Sequence, residues 1–261
     1  MNSSTFQSDA ISYQLNLLEW DTKLLKNCAV QLDNLEIRDE KKALSQLKEL
    51  ITKFSKNKVI LASCRLPHNS IKESMILEDL GFKFVEMVLH PFADLLSSKT
   101  LSCKNKIEIN EAKPSELEEL SVIAEIAFKD DRFSVDERIP DGYAGKRYKN
   151  WVLSCVDHPS QKVLKFSLQK KTIGFFIIEE DKITRKAYWH LTAISPKFQG
   201  QGFGTECWKA MISDHKSRGI KEVSTTISAR NSIVLNLYTK LDFRFRNPEI
   251  TFHWINEGLK L

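Results

Sequence analysis

Three glycines stand at alternate positions in Gln199-Gly200-Gln201-Gly202-Phe203-Gly204, and the chain then enters an amphipathic helical pattern that runs to about Ser217. Main-chain amides at a helix start lack intrahelical partners and sit at the positive end of the helix dipole, which suits a phosphate. Glycines keep Cβ atoms out of the path of such an anion. The chemistry expected here is the cradling of a pyrophosphate. Two well-known cradles do not fit the spacing. A Walker loop ends in Gly-Lys-Ser or Gly-Lys-Thr, and here the chain reads Gly204-Thr205-Glu206; a dinucleotide fingerprint needs a third glycine where Thr205 stands.

The elements that would position this turn can be read from periodicity. The segment 106–113 (KIEINEAK) alternates like a strand, and 114–128 opens with Pro, Ser and Glu before an apolar stripe, as a helix start does. A second helix is expected over 142–156. Strands follow at 162–168, 173–180 and 187–194, then the glycine turn and its helix, a strand at 221–228, a helix at 231–241 and a strand at 249–254. This order predicts an α/β protein with a mixed sheet. Polar, aperiodic residues over 89–106 mark the best linker, so a boundary is expected near residue 104, giving regions 1–104 and 105–261.

The first region echoes the second. Residues 59–92 and 223–254 both read strand, Asn-Ser-Ile, helix, Leu-x-Phe, strand. Allowing one extra residue in the first copy, Asn69-Ser70-Ile71 aligns with Asn231-Ser232-Ile233, and Leu80-Gly81-Phe82 with Leu241-Asp242-Phe243. Chance agreement of two amphipathic segments and a true duplication are both compatible with this.

The pattern Gln199-x-x-Gly202-x-Gly204, preceded by HLTAISP and followed by Asn231 and LYTKLDF, resembles the GCN5-related N-acetyltransferase (GNAT) superfamily over about 106–257. The resemblance implies a GNAT fold with a mixed, mostly antiparallel central sheet, preceded by a smaller truncated GNAT-like α/β domain. A narrower resemblance rests on 15–25 (LNLLEWDTKLL), on FKDDRFSVDERIP with AGKRYKNWV (128–152), and on TFHW (251–254). These resemble the TDP-fucosamine acetyltransferase family, and imply transfer of acetyl from acetyl-CoA to the amine of a nucleotide-linked deoxy amino sugar.

That resemblance assigns roles. Ile194 would offer its amide to the thioester carbonyl. Gln199, Gly200, Gln201, Gly202, Phe203, Gly204 and Thr205 would hold the pyrophosphate, and Asn231 would bond the pantetheine or simply cap its helix. Tyr238 would protonate the leaving thiolate, with a core tyrosine as the alternative; Leu77 occupies its place in the first copy, which should therefore be catalytically silent. Many relatives carry a glutamate base where this chain has Tyr188, Trp189 and His190. His190, with an unperturbed pKa of about 6.5 and a position on the same strand face as Thr192 and Ile194, is one candidate base, and a water relay is the other. Arg132 and Arg147, with Lys146, are candidates to pair with the acceptor's diphosphate, and Phe133, Tyr148 and Trp151 to stack on its base or sugar. Trp20 and Asp21 would close the pocket or anchor the N-terminal region. Asp242 replaces the usual glycine of the Leu-Gly-Phe signature, and is among the few residues tolerant of positive φ.

Composition bounds the reading. The charge of +5, from 39 basic and 34 acidic residues, is spread along 261 residues with no basic block of the kind that binds nucleic acid. Five cysteines at wide spacing form neither a disulfide framework nor a zinc pattern, so no metal is expected. With no leader and no long apolar run, a cytoplasmic enzyme without a membrane partner is expected, and a homodimer is left open. Rival readings are a GNAT enzyme for a peptide, polyamine or antibiotic amine, and a non-catalytic CoA-binding protein.

Overall fold

The computed structural model describes residues 3–98 and 102–259. The chain folds into two compact units assembled from interleaved segments. Unit 1 takes residues 1–88, 131–143 and 247–261; unit 2 takes 89–130 and 144–246.

Unit 1 begins with strands β1 (Ser4–Gln7) and β2 (Ile11–Leu17), helix α1 (Glu19–Leu25) and strand β3 (Cys28–Ile37). Helix α2 (Glu40–Lys56), strand β4 (Val59–Pro67), helix α3 (Ile71–Asp79) and strand β5 (Lys83–Asp94) follow. Asp39 starts α2 by accepting from the Lys42 amide at 3.1 Å. Ala43, Leu47, Leu50 and Phe54 recur every three or four residues and are buried. They meet Leu77, Phe82, Phe252 and Trp254 in one apolar core.

Unit 2 contributes β6 (Glu108–Glu111), α4 (Leu117–Ala127), α5 (Tyr143–Ser154), β7 (Gln161–Leu168), β8 (Lys171–Asp181) and β9 (Lys186–Ile194). It continues with α6 (Phe203–Ser217), β10 (Glu222–Thr225), β11 (Ile227–Ser228) and α7 (Ser232–Lys240); β12 (Arg244–Ile255) starts in unit 2 and ends in unit 1. The predicted elements of the later region are present with ends displaced by a few residues. Cys207, Trp208, Met211 and Ile212 of α6 bury against Phe176, Trp189, Tyr238 and Phe243.

The strands of the two units follow one pairing rule. In unit 1, β1, β2 and β3 are antiparallel, β3 and β4 are parallel, and β4 and β12 are antiparallel. In unit 2, β6 through β9 are antiparallel, β9 and β10 are parallel, and β10 is antiparallel to residues 92–94 of β5. This is the α/β, mixed and mostly antiparallel arrangement of a GNAT fold, with an α/β region before it. Each set of strands is completed by the strand that follows the other unit's last helix. Strand β5 leaves α3 of unit 1 and pairs in unit 2; β12 leaves α7 of unit 2 and pairs in unit 1.

Two sequence expectations need correction. Residues 89–94, read as linker, are the end of β5; His90 and Pro91 break the alternation without ending the strand, and pairing with β10 resumes at Phe92. The remaining linker lies partly outside the described residues, and its far side is tied down by Glu206, which accepts from the amides of Lys104 and Asn105. The boundary expected near 104 thus falls inside unit 2. The repeat alignment also shifts by one: α3 and α7 are both nine residues long, so Ser70 and Asn231 are the equivalent caps, and no extra residue is needed ahead of the helix.

Candidate active site

The helix that follows the glycine turn starts without a side-chain cap. Gly202 is its N-cap at φ +83°, and the first helical bond is Glu206 N to Gly202 O at 3.4 Å. The amides of Phe203, Gly204 and Thr205 thereby remain at the positive end of α6 with no side chain closing it. Gly200 and Gly202 both have left-handed φ, and nothing lies within 4 Å of a Cβ built on either. Glycine is favoured there by conformation, and the space beside it is open. The side chain of Gln199 turns back and donates to the Ile194 carbonyl at 2.9 Å; Gln201 donates to Lys197 O at 2.9 Å, which braces the turn.

Strand β9 leads into that turn. Its parallel register with β10 runs from Lys186/Glu222 to Trp189/Thr225 and goes no further, whereas β9 itself continues to Ile194. Ser195 N–H donates to Ile173 O of β8 at 2.9 Å. Successive amides point to opposite strand edges, so the Ile194 amide is directed to the edge away from β8. Gly174 permits the close approach of β8 here, since a Cβ would lie 2.3 Å from Ala193 O.

Tyr238, on α7, is 1 % exposed. Trp208, Thr225 and Thr192 lie beside its hydroxyl, which places it where β9 and β10 part. Burial pushes its pKa up to about 12, against the smaller opposing effect of these polar neighbours. Asn231 caps α7 by accepting from Val234 N at 3.1 Å. The capping part of its expected role is present in the geometry.

His190, Tyr188, Thr192 and Ile194 share the half-buried face of β9, as alternation predicts. His190 Nε2 lies 3.0 Å from Glu179 Oε2 on β8. Burial lowers the histidine's pKa, and Glu179 opposes that shift; the bond from His190 and then the neighbouring Ser160 lower the Glu179 pKa. Trp151 of α5 meets the His190 ring edge-on at 6.1 Å, with Tyr148 stacked beyond it and the Arg147 guanidinium 5.9 Å from both rings.

Arg132 and Phe133 belong to unit 1, apart from Arg147 and Trp151 of unit 2. Arg132 donates to Ser63 at 2.9 Å and its guanidinium covers the Phe133 ring at 4.6 Å. Phe133 is buried between Tyr143 and His253. Asp21, 1 % exposed, accepts from the Tyr143 hydroxyl. His253 is fully buried, with Nδ1 2.9 Å from Asp136 Oδ2 and no partner for Nε2. Burial pushes its pKa down to about 4. Burial raises the Asp136 pKa, yet the bonds from His253 and Arg138 outweigh it and hold this carboxyl well below the usual range.

Sequence reasoning did not single out Glu179, Thr192 as a neighbour of Tyr238, or the Asp136–His253 pair. Glu179 lies in the run Glu179-Glu180-Asp181 that reads as a solvated strand end. The other partners are separated by 46 and 117 positions, and only the fold joins them. Among the described residues no helix is long and apolar enough to cross a membrane, and no three His, Cys, Asp or Glu gather as a metal site.

Comparison with known proteins agrees with this geometry. Residues 124–243 match the acetyltransferase (GNAT) family model. No curated protein matches the chain. Among solved structures, a functionally unknown conserved protein from Staphylococcus epidermidis superposes with a TM-score of 0.69 at 14% identity, covering 97% of this chain and 94% of that one. A GCN5-related N-acetyltransferase from Sphaerobacter thermophilus gives 0.65 at 13% identity, with 95% and 78% covered. A tandem GNAT protein from the clavulanic acid biosynthesis pathway gives 0.55 at 8% identity, with 97% and 83% covered. The likeness to these structures is one of fold, and the family match over 124–243 takes in the open α6 turn, β9, β10 and α7.

Proposed function

We propose that the protein is an acetyl-CoA-dependent N-acetyltransferase of the cytoplasm whose acceptor is the amine of a nucleotide-linked amino sugar, of the dTDP-amino-deoxyhexose kind used in surface polysaccharide synthesis. The observation that carries the reading is the uncapped start of α6, with Gly200 and Gly202 in left-handed conformation and open space where Cβ atoms would stand. Such a site fits a pyrophosphate. The main chain from Gln199 to Thr205 would hold that group, and Asn231 would steady the far side of the cleft while capping α7. When bound, acetyl-CoA supplies the activated acetyl group.

The chain's own residues would do the rest. The Ile194 amide offers a donor to a developing oxyanion. Tyr238 holds its proton at all working pH, and because a thiol has a pKa of about 8.5, full proton transfer from a phenol near 12 is uphill. Its contribution to the leaving sulfur is then chiefly a hydrogen bond that strengthens as charge develops. His190, kept neutral by burial, takes the proton of the amine. The Arg147, Tyr148 and Trp151 group offers one cation and an aromatic stack for a nucleotide sugar, whereas the Phe133 ring in unit 1 is already covered by Arg132, Tyr143 and His253.

The test is thiol release from acetyl-CoA across dTDP- and UDP-linked amino sugars, with polyamines, peptides and aminoglycosides as controls. Turnover confined to an amino sugar nucleotide is expected. Turnover on a control alone would keep the acetyltransferase and discard the acceptor; acetyl-CoA binding with no turnover anywhere would leave a binding protein.

A further inference from the structure

The Glu179–His190 pair lies on the face of β8 and β9 that runs toward Ile194. A carboxylate only accepts hydrogen bonds, so the contact with Glu179 Oε2 requires the proton to sit on Nε2. In the neutral imidazole the other nitrogen, Nδ1, must then be the bare acceptor. No group among the described residues bonds Nδ1. The Ser160 hydroxyl, on the loop that precedes β7, lies on the carboxylate's side and favours its charged form. That loop is in turn pinned by His158 Nδ1, which accepts from the amides of Ser160 at 3.3 Å and Gln161 at 3.0 Å.

We propose that Glu179 is a positioning residue for the acetyl-transfer site: it locks His190 as the Nε2–H tautomer, so that Nδ1 is the atom that removes a proton from the acceptor amine. This rests on the reading of His190 as the base. The step balances simply: the amine nitrogen forms the new bond to the acetyl carbon, its proton passes to Nδ1, the carbon–sulfur bond breaks, and the sulfur leaves with the electron pair toward Tyr238. The imidazolium so formed carries protons on both nitrogens, and Glu179 stabilises it through Nε2–H. Other lone-residue readings are weaker, because Trp151 meets the same ring edge-on and limits the orientations open to it.

The groups that set the titration of His190 come from every element packed on it. Glu179 on β8 favours the charged form, whereas burial and His158 on the preceding loop disfavour it. Tyr188 on β9 is in ring contact at 4.8 Å, and Trp151 with Arg147 closes the α5 side. Replacing Glu179 by glutamine removes the one group that favours the imidazolium, so the acid limb of kcat/KM must move to lower pH.

Two measurements on the full chain test this. Long-range proton–nitrogen NMR of histidine-labelled protein, with His190→Gln to assign the resonance, should report the Nε2–H tautomer in the wild type and a mixture in Glu179→Gln. Steady-state assays of Glu179→Gln, with the acetyl acceptor found in the panel, should give a kcat reduced about tenfold, part of the 10²–10⁴ a general base supplies, an unchanged KM for acetyl-CoA, and an acid limb displaced to lower pH. A wild-type Nδ1–H tautomer, or an acid limb that stays in place while turnover persists, would overturn the inference and leave the acetyltransferase reading intact. Absence of thiol release from the wild type with every amine would remove both.

Discussion

Unit 1 and unit 2 run the same strand logic to different ends. In each, an antiparallel strand pair leads to one parallel pair, and the helix after the second parallel strand is nine residues long with its C-terminal turn closed in the same way. Phe82 N donates to Leu77 O at 3.0 Å in one, and Phe243 N to Tyr238 O at 3.0 Å in the other; the residues between have φ +86° at Gly81 and +59° at Asp242. The differences lie where chemistry would occur. The helix after the first parallel strand is capped by the Asp39 carboxylate in unit 1 and by bare Gly202 in unit 2. The buried position on the nine-residue helix is Leu77 in unit 1 and Tyr238 in unit 2. Unit 1 thus has a carboxylate where unit 2 has the open helix start, and a hydrocarbon where unit 2 has a hydroxyl, on the same strand and helix order. The lesson is that the fold tolerates both states, and a few side chains decide between them.

The comparison can be broken most severely by separating the units. A fragment beginning at residue 105 lacks the β5 segment that pairs with β10, and one ending at 104 lacks β12 beside β4. Neither piece should fold alone by far-UV circular dichroism and thermal melting, whereas co-expressed pieces should form a complex; an independently stable 105–261 fragment would refute the interleaving.

Copying unit 1 into unit 2 comes next. Gly202→Asp places a carboxylate at the α6 cap, as Asp39 does for α2, and should weaken acetyl-CoA binding at least about 100-fold by calorimetry, since two like charges then compete for one site. Tyr238→Phe, which moves the second site toward Leu77, should lower kcat by about 10² with acetyl-CoA affinity retained. A kcat within a factor of two of wild type would make Tyr238 a core residue.

The units should also differ in acid. His253 of unit 1 has a folded pKa near 4 against 6.5 unfolded. Its folded value is lowered, so the unfolded chain binds a proton that the folded chain refuses, and stability falls as pH drops from about 6.5 to 4. Glu180 of unit 2, held near 2 first by the neighbouring His215 and then by Arg218, adds its loss only below about 4.5. His253→Gln should flatten the upper window of a denaturation-against-pH series and leave the lower one in place. The smallest effect is at the helix ends: Asp39→Ala should cost about 1 kcal/mol in chemical denaturation through the lost cap, and should not create a second acetyl-CoA site.

Much of unit 2 was legible because its elements are local. Alternation exposed β7, β8 and β9, a 3.6-residue stripe exposed α6, and the glycine pattern marked the turn between them. The positive φ needed at Asp242 also followed from its place after the helix. The order of β1 to β3 and helices α1 and α2 was not read, and Pro91 disguised the end of β5 as a loop. The strand exchange leaves no local mark at all, since Phe252 pairs with Cys64 across 188 positions. The same holds for the site: Gln199 to Thr205 could be read from spacing, but the surroundings of Tyr238 depend on Thr192, Thr225 and Trp208 arriving from three elements.

The reciprocal strand exchange has a consequence for heredity. In a chain of consecutive modules, a single recombination event in the linker can delete, duplicate or trade one module and leave the other whole. Here any cut between β5 and β6 takes a strand from each unit, and the segment 131–143 adds a second thread that must cross. Unit 1 therefore cannot be lost in one step: its β4 pairs with the end of β12, a strand that starts in unit 2, and a lineage that keeps unit 2 keeps unit 1 with it.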